Sequence, residues 1–309
     1  MAFFKRDRKQ KWAIITSAPK GEAGKQWGDY WFAHDLAQAL NAEGVNATVH
    51  SRAGATSEAR REDDVVVVLR GLRRVTPMPT KSPWFLWVIS HPELVEPGEA
   101  DHYTAAFAAS QTWNPGGDMG TFTPLLQATN VDRFRPVDQP LNSGVLFIGS
   151  TRGEFRPIVR DALAQGIPLS LYGVGWPEFV DPSLSSGEFL DNAQLPAAYS
   201  NAALVLNDHH ADMAANGVLS NRLFDAVAAG ARVVSDPASG LAQVFGSSVV
   251  EYQSPEHLAQ IVADPDSFFP DSTSPDFKAD RDRIRREHSF TARARYLIEQ
   301  AQSQGAGAP

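Results

Sequence analysis

Short apolar runs alternate with amphipathic segments along the first part of the chain. Residues 12–17 form an apolar run that leads through a glycine-rich loop into residues 30–40, where apolar side chains recur four positions apart. Runs at 47–50, 64–69 and 84–90 are apolar almost throughout, as is typical of parallel strands buried on both faces. The pattern predicts a doubly wound α/β sheet.

The alternation breaks after residues 122–126 and starts again near residue 144. The segment between, residues 127–143, holds Pro136 and Pro140 and has little periodicity, so we place a domain boundary there. Further on, the pattern predicts strands at 144–149, 168–172, 203–207 and 231–235 and helices at 153–165 and 218–229. This second α/β set is complete in itself.

The pattern gives five segments along the chain. We expect one Rossmann-like domain over residues 12–135 and a second over residues 136–275. An arginine-rich stretch, residues 276–302, is predicted to be one long helix that packs back across both domains. Tails flank these parts at residues 1–11 and 303–309, and the second tail is expected to be disordered.

Composition narrows the class of protein. The chain has 309 residues with 43% apolar content, enough for two α/β domains of ordinary size. Its net charge of -8 argues against a nucleic-acid binder, because such proteins need a broad basic surface. There are no cysteines, which excludes disulfides and thiolate nucleophiles and suits a cytoplasmic protein. No apolar run reaches the roughly 20 residues that span a bilayer.

The N-terminus is locally basic in an acidic chain. Its aromatic pair and its cations are Phe3, Phe4, Lys5, Arg6, Arg8, Lys9 and Lys11. Such a cluster can make weak contact with an anionic membrane surface, which would place the protein at the inner membrane face. The alternative is a solvated tail.

Residues 220–230 combine an apolar stripe with polar residues at the start of a predicted helix. The free N–H groups of a helix N-terminus would place Ser220, Asn221 and Arg222 to hold a diphosphate. Asp225, one turn further on, could accept hydrogen bonds from ribose hydroxyls. On spacing alone, an N-capped core helix with solvated charges explains the pattern at least as well.

A second candidate anion site is the turn at residues 149–152, between a predicted strand and a predicted helix. Thr151 and Glu154 have the spacing of a capping box. The backbone amides of the turn and the side chain of Arg152 could neutralise a diphosphate, with Arg156 as a second cation. A plain strand–helix turn is the alternative reading.

The turn at residues 172–176 has two glycines, Gly173 and Gly175. It is not a dinucleotide-binding fingerprint, because Pro177 and Glu178 stand where the third glycine would be and no helix opens there. A loop beside a ligand and a merely tight turn both remain open.

In the first domain, candidate residues follow the ends of two predicted strands. Gly28 permits close backbone approach and Asp29 could contact a ligand, although a helix-capping Asp29 fits equally well. His91 follows the run at 84–90 and could hydrogen-bond a ligand or act as an acid or base, the alternative being a structural turn histidine.

The pair His209 and His210 does not predict a metal site. Adjacent loop histidines point in different directions, and no third ligand has suitable spacing. The acidic triplets at 264–266 and 280–282 do not follow apolar strands. We therefore expect no metal.

Several of these motifs resemble group 1 glycosyltransferases of the GT-B fold, particularly the spore-maturation (CgeB-like) branch. The family's Arg-Leu-Phe-Glu-Ala run, its following glycine and its strand ending in aspartate are matched here by Arg222, Leu223, Phe224, Asp225, Ala226, Gly230 and Asp236. Residues 146–152 resemble the family's phosphate loop, residues 172–176 its Tyr-Gly-x-Gly-Trp turn, residues 125–136 its crossing linker, and residues 27–30 its first acceptor-domain loop. The likeness covers most of residues 12–263.

The resemblance implies two Rossmann-like domains that face a cleft. It implies a metal-independent transferase of hexosyl type that retains the anomeric configuration. The donor would be a nucleoside-diphosphate sugar, bound as substrate and with no separate cofactor, and the acceptor a glycan, a lipid-linked or a small molecule. The implied catalytic residues are His91, Arg152 and Arg222, the donor-binding residues Gly149, Ser150, Tyr172, Gly173, His209, Ser220, Asn221 and Asp225, and the acceptor-side residues Gly28 and Asp29.

One departure from the family concerns its two glutamates, which are eight residues apart. Asp225 takes the place of the second, but the first would fall at Gly217, beside Asn216, where there is no carboxylate. Asp212 is either a substitute or a surface-loop residue. Two alternatives to transfer therefore stay open, an epimerase or hydrolase acting on nucleotide sugars and a non-catalytic binding module.

Overall fold

The computed structural model describes residues 8–137 and 142–305, which form two α/β units. Unit 1 combines the chain up to Leu126 with the segment that starts at Phe290, and unit 2 is Gln127–Ser289. The predictions for the first seven residues, for Pro140 and for the last four residues lie outside the described residues. Each unit contains one six-stranded sheet.

The sheet of unit 1 is parallel, with strand order β2-β1-β3-β4-β5-β6. Its strands are β1 (Lys11–Thr16), β2 (Asn46–His50), β3 (Val65–Arg70), β4 (Trp84–Val88), β5 (Ala105–Ala108) and β6 (Thr123–Pro124). Its α-helices are α1 (Glu22–Lys25), α2 (Gly28–Ala42) and, from the end of the chain, α10 (Phe290–Ser303). Short 3-10 helices lie at Arg52–Thr56, Glu58–Glu62, Pro92–Leu94, Ala100–His102 and Gly117–Met119.

Burial explains why the apolar runs of unit 1 become central strands. All residues of β3 and of β4 are buried, as expected for strands covered on both faces. Helix α2 covers the sheet with Phe32, Leu36 and Leu40, the apolar positions that recur every four residues. The sequence did not indicate β5, whose four residues are three alanines and Phe107.

The sheet of unit 2 is also parallel, with strand order β12-β11-β10-β7-β8-β9. Its strands are β7 (Asn142–Ile148), β8 (Leu169–Tyr172), β9 (Ser185–Gly187), β10 (Ala202–Asn207), β11 (Val233–Ser235) and β12 (Val249–Glu251). Its α-helices are α3 (Pro157–Ala164), α4 (Leu195–Asn201), α5 (Ala211–Ala215), α6 (Asn221–Ala228), α7 (Leu241–Phe245), α8 (Pro255–Ala263) and α9 (Pro275–Glu287). Short 3-10 helices lie at Trp176–Glu178, Pro182–Leu184, Gly246–Ser248 and Pro265–Ser267.

The arginine-rich stretch at 276–302 is two helices rather than the single helix predicted. The backbone between α9 and α10 is held by unit 2, because the N–H of Thr129 donates to the carbonyl of His288 and Thr129 forms a β-bridge with Ser289. Helix α9 therefore belongs to unit 2 and α10 to unit 1.

The segment that the sequence indicated as a linker is packed into unit 2. The guanidinium of Arg285 on α9 donates to the carbonyls of Val131 and Phe134, and Phe134 is buried. The division between the units consequently falls after Leu126, nine residues before the boundary placed at 135/136 from the sequence.

The N-terminal segment is partly ordered by unit 1. Lys11, which the sequence placed in the tail, is the first residue of β1, and its backbone N–H donates to Asp64. Arg8 forms an exposed ion pair with the same carboxylate at 2.6 Å. Among the described residues, no helix is long and apolar enough to cross a membrane.

Candidate functional site

The strand order of unit 2 changes direction between β7 and β10. From β7 the chain adds β8 and β9 on one side of the sheet, and then β10, β11 and β12 on the other. Open parallel sheets bind ligands outside the carboxyl ends of their strands at such a point. The segments at this edge are the loop after β7, the loop after β10 and the start of α6.

Two glycines allow the loop after β7 to pack closely. A Cβ atom on Gly173 would lie 2.0 Å from the carbonyl oxygen of Gly149, and the φ of Gly173 is +145°. A Cβ atom on Gly149 would lie 2.7 Å from Nη2 of Arg222. Trp176 donates from Nε1 to the Gly149 carbonyl at 2.9 Å, and the amide of Gly149 donates to the carbonyl of Tyr172 at 2.8 Å. The turn at 172–176 thus supports the loop at 149–152.

Arg152 has a left-handed backbone conformation, with φ 60°. For a non-glycine residue this conformation costs about 1–2 kcal/mol, and such strain is concentrated at functional sites. The side chain is exposed, yet desolvation by the surrounding protein, followed by the charges of Arg156 and Arg222, lowers its pKa to about 9. These arginines therefore lie close enough together to repel one another.

The capping box predicted from Thr151 and Glu154 is wrong. Helix α3 begins at Pro157, four residues later than predicted, and its N-cap is Arg156. Thr151 is buried, and its Oγ1 accepts a hydrogen bond from the amide of Gly153 inside the loop. The loop extends further because Arg152 and Gly153 both have positive φ, which a helix does not permit.

Arg156 is neutralised by Asp208, which follows β10. The Nε atom of Arg156 donates to Asp208 Oδ2 at 2.9 Å, Nη2 contacts Oδ1, and both side chains are 1% exposed. Its Nη1 atom donates to the carbonyl of Ser150 at 3.0 Å. Because a buried pair of this kind strongly resists losing either partner, Arg156 holds the loop after β7 against the end of β10.

Arg222, the second residue of α6, has neutral hydrogen-bond partners. It donates from Nη1 to Oδ1 of Asn207 at 2.9 Å and is hydrogen-bonded to Tyr199, while its guanidinium lies 5.0 Å from the ring centroid of Phe147. Desolvation is the main cause of its lowered pKa. No carboxylate of the described residues forms an ion pair with Arg222. This half-buried charge therefore favours an anionic ligand.

The start of α6 differs from a simply capped helix. Ser220 is the N-cap residue, but its side chain makes no capping hydrogen bond. Asn221 donates to Oδ2 of Asp225 at 2.8 Å, and Thr129 donates to Oδ1 at 2.8 Å. Asp225 thus binds its own chain through both oxygens. Its predicted contact with ribose would have to use the remaining lone pairs.

The two histidines after β10 have different environments. His209 is buried, and its Nδ1 lies 2.6 Å from Oδ1 of Asp236, the residue after β11. His210 is half-buried and is the N-cap residue of α5. Downstream, Gly217 has φ 65° where the family's first glutamate would stand. A glutamate at this position would need a backbone conformation that side chains disfavour.

In unit 1, Asp29 lies in the first turn of α2, near the ends of β1 and β3. A Cβ atom on Gly71 would lie 2.4 Å from Asp29 Oδ2 and 3.1 Å from Oγ of Ser17. Desolvation raises the pKa of Asp29 to about 6, although the charge of His91 and a hydrogen bond from Ser17 oppose it. Oδ2 is buried and has no hydrogen-bond partner among the described residues. Trp27, not Asp29, is the N-cap residue of α2.

His91 shares an unusual feature with Arg152. These are the non-glycine residues with positive φ in the described part of the chain, His91 having φ 52° and ψ 57°. This conformation is unexpected before a proline such as Pro92, which usually favours an extended residue. His91 Nδ1 lies 3.6 Å from Glu93, and its charge acts on Asp29.

A cavity of about 410 Å³ in unit 1 is lined by Thr16 and Tyr30, the chain neighbours of Ser17 and Asp29. Its lining includes Lys20, Tyr30, His34 and His50 and no carboxylate, and burial lowers the pKa of both histidines. Gly28, predicted on the acceptor side, is the first residue of α2, and a Cβ atom there would meet open space. The cavity is of a size suitable for a small polar ligand.

Several residues near the carboxyl edges of the two sheets were not identified from the sequence. They are Ser17 and Gly71 in unit 1, and Tyr199, Asn207 and Asp208 in unit 2, together with the pairing of Asp236. Four of them are the last residue of a strand or lie just beyond it, at Ser17, Gly71, Asn207 and Asp208. Strand-end position could therefore have found these four, whereas Tyr199, inside α4, carried no such signal.

Comparison with known proteins gives a family for part of the chain. Residues 152–299 match the sequence model of the family described as Glycosyl transferase-like. No curated protein matches the chain. The matched segment includes Arg152, Arg222 and His209.

Solved glycosyltransferase structures resemble the whole chain. AviGT4, a glycosyltransferase involved in avilamycin A biosynthesis, is 18% identical with a TM-score of 0.64, over 97% of this chain and 99% of that one. Sucrose-phosphate synthase from Thermosynechococcus elongatus is 13% identical with a TM-score of 0.66, over 96% of this chain and 100% of that one. The DNA-modifying β-glucosyltransferase is 12% identical with a TM-score of 0.60, over 94% of this chain and 99% of that one.

At these identities the resemblance establishes the fold. Two six-stranded parallel sheets with flanking helices, each with its own change of strand direction, agree with the fold class expected from the sequence. The chain therefore has the GT-B fold, and its residues 152–299 match a glycosyl transferase-like family.

Proposed function

We propose that this protein is a glycosyltransferase that moves a sugar from a nucleoside-diphosphate sugar to an acceptor hydroxyl. The observation that carries the proposal is Arg222, a half-buried cation with neutral hydrogen-bond partners, at the carboxyl edge of the unit 2 sheet. A partly desolvated charge without a counterion is costly, and a bound diphosphate would supply the counterion.

The arginines also suit the chemistry of transfer. Cleavage of the bond between sugar and phosphate leaves negative charge on the diphosphate, and fixed cations at that position stabilise the transition state. Arg222 and Arg152 would take this role, while Arg156 is already neutralised by Asp208. Since two arginines can neutralise the leaving group, we propose that the reaction needs no metal ion.

The donor is proposed to be a hexose nucleotide. Structures of T4 phage β-glucosyltransferase, one of the neighbours in fold, were determined with UDP-glucose. The base would lie near Tyr172 and Gly173, and the ribose near Asp225. The CgeB-like branch indicated by the sequence motifs, and a location in the cytoplasm or at the inner membrane face, remain predictions.

Asp29 is the proposed contact for the acceptor hydroxyl in unit 1. A carboxylate with a pKa of about 6 can take a proton near neutral pH, and its Oδ2 has no hydrogen-bond partner among the described residues. His91, which lowers that pKa, would assist. The class of acceptor, whether glycan, lipid-linked or small molecule, is left open by this chemistry.

The stereochemical course has two candidates. The resemblance implies retention, whereas a carboxylate base such as Asp29 suits a single displacement with inversion. The positive φ of Gly217, where the first glutamate is missing, favours the second candidate. NMR of the anomeric proton in the first-formed product distinguishes them.

A non-catalytic binding module is the second candidate function, favoured by the same absence at Gly217. It would bind the nucleotide sugar without turnover. An epimerase or hydrolase would instead convert the donor in the absence of acceptor. Incubation with donor alone, followed by chromatography of nucleotide and sugar, separates an epimerase or hydrolase from the other two candidates, which leave the donor unchanged. Addition of candidate acceptors then separates a transferase, which converts the donor, from a binding module, which does not.

The proposed donor site is tested with Arg222→Ala. A thermal-shift panel of UDP, GDP, TDP and ADP identifies the preferred nucleotide, and calorimetry then measures its affinity. Loss of a charge-assisted contact to phosphate predicts affinity lower by about 10- to 100-fold. Arg222→Lys should lose less, because it keeps the charge but not the planar fork.

Arg286→Ala is the matched control, since Arg286 is an exposed arginine of the same unit, paired with Glu287. Its nucleotide affinity should equal that of the unmodified protein. If Arg222→Ala is folded by circular dichroism and binds as tightly as the control, the proposed donor site is wrong.

A further inference from the structure

A chain of hydrogen bonds connects Arg222 with the residue that follows β11. Arg222 donates to Oδ1 of Asn207 at 2.9 Å, and Nδ2 of Asn207 donates to Oγ of Ser235 at 2.9 Å. Ser235 in turn donates to Oδ1 of Asp236 at 3.1 Å. Because a guanidinium can only donate, the donor and the acceptor of each of these three hydrogen bonds are fixed. The last acceptor is the carboxylate of Asp236.

Asp236 holds His209 at two points. Its Oδ2 accepts the backbone N–H of His209 at 2.9 Å, and its Oδ1 lies 2.6 Å from Nδ1 of the ring. Burial opposes ionisation of Asp236, but the hydrogen bonds and charge of His209 and the bond from Ser235 outweigh it and lower the pKa of the carboxyl. An ionised carboxylate only accepts hydrogen bonds, so Nδ1 of His209 carries the proton.

The other ring nitrogen, Nε2, is left without a partner. The His209 side chain is 0% exposed, and Nε2 has no hydrogen-bond partner among the described residues. An unsatisfied buried polar atom is costly, so this one calls for a ligand. Whenever the ring carries one proton, Asp236 holds that proton on Nδ1, and Nε2 is then an acceptor.

The neighbouring groups indicate which part of the ligand Nε2 meets. Arg152 and Arg222 can only donate hydrogen bonds, which suits phosphate oxygens. A sugar hydroxyl also needs an acceptor. The loop after β10, which holds His209, flanks the loop that holds Arg152 at the change of strand direction, so a sugar joined to a diphosphate there would be within the same site.

We propose that Asp236 is a positioning residue that fixes His209 with Nε2 as the acceptor for a hydroxyl of the transferred sugar. The pair then recognises the sugar of the donor rather than its diphosphate. This inference rests on the proposed donor site. It assigns to His209 a contact with the sugar, a role left open by the missing first glutamate.

The test is Asp236→Asn, which preserves shape but removes the charge. The backbone N–H and the Nδ1 of His209 meet different oxygens of Asp236, and the amide replaces one of these oxygens with an NH2 group that donates. The tautomer of the ring is then no longer fixed. Calorimetry with UDP and with UDP-glucose should show UDP affinity within about twofold of the unmodified protein and UDP-glucose affinity lower by about tenfold, the worth of one hydrogen bond of about 1.4 kcal/mol.

Asp282→Asn is the control, because Asp282 is an exposed aspartate of unit 2 that pairs with Arg281. It should leave both affinities unchanged. Equal losses for UDP and UDP-glucose in Asp236→Asn would overturn the inference, because they would mean that Asp236 supports the whole site. No loss for either ligand would overturn it as well.

A spectroscopic measurement decides the inference without any ligand. Nitrogen-15 NMR of the His209 ring should show protonated Nδ1 and unprotonated Nε2 in the unmodified protein, and a mixture of tautomers in Asp236→Asn. Protonated Nε2 with bare Nδ1 in the unmodified protein would overturn it. Failure of the unmodified protein to bind any of UDP, GDP, TDP and ADP would instead contradict the proposed function.

Discussion

The two sheets of this protein have different chemistry at their carboxyl edges. In unit 2, the strand order is the 3-2-1-4-5-6 arrangement of dinucleotide-binding folds, and the edge carries Arg152, Arg156 and Arg222, of which Arg156 is paired with the carboxylate of Asp208. In unit 1, the order is 2-1-3-4-5-6, and the group in the corresponding place is a buried carboxylate, Asp29.

The difference shows how one architecture can handle two kinds of substrate. A group of cations in excess over carboxylates stabilises an anion, whereas a carboxylate with a raised pKa can exchange a proton with a hydroxyl. The strained residues support the same division, since Arg152 and His91 each lie at one of these edges. Substitutions at the edge of the unit 2 sheet should therefore affect donor binding, and those at the edge of the unit 1 sheet should affect turnover.

The largest expected effect comes from Asp29→Asn. If Asp29 takes the proton of the acceptor hydroxyl, kcat/KM for transfer should fall by about 100-fold or more, with UDP affinity unchanged. In the unmodified protein, kcat/KM should rise with pH through about 6, because the base works in its ionised form. The pH profile and UDP calorimetry are the measurements.

Asp118→Asn, an exposed aspartate of unit 1, serves as the control and should keep its activity. A fall in UDP affinity in Asp29→Asn, with unchanged turnover at saturating donor, would contradict the division of roles between the units.

Many of the strands and candidate residues in this comparison could be predicted from the sequence. Apolar runs identified the central strands β1, β3, β4, β7 and β10, because continuous burial leaves an unmistakable pattern. Arg222 was identified because it stands at the start of a predicted helix and matches the family's motif, and Asp29 because it ends the loop that follows a predicted strand. His91 and Arg152 were named as candidates before their backbone conformation was known.

What the sequence could not provide was the partner of each charged group. Nothing in the spacing indicates that Asp208 neutralises Arg156, 52 residues away, or that Asp236 holds His209. The capping box at Thr151 failed because local spacing cannot reveal that the loop continues to Pro157. The break between α9 and α10 is set by Thr129, which is distant in sequence.

A smaller effect is expected from Gly149→Ala in unit 2. The added Cβ would lie 2.7 Å from Nη2 of Arg222, so the guanidinium must shift. Displacement of a phosphate-binding group predicts UDP affinity lower by about tenfold, roughly one charge-assisted hydrogen bond. Gly28→Ala in unit 1, where the new Cβ meets open space, should leave UDP affinity unchanged. Equal changes in UDP affinity for Gly149→Ala and Gly28→Ala would contradict the assignment of diphosphate binding to the unit 2 edge.

The smallest effect concerns stability. The folded-state pKa of Asp29, about 6, lies above its ordinary value of 3.8, so the folded protein binds more protons between these values and loses stability as pH rises through them. Asp29→Asn removes this loss. Its free energy of unfolding, relative to that of the unmodified protein, should increase between pH 4 and pH 8 by on the order of 1–3 kcal/mol. Urea unfolding at both pH values measures this difference in free energy of unfolding between the variant and the unmodified protein. A difference that does not change with pH would mean that the Asp29 carboxyl is not desolvated in the folded protein.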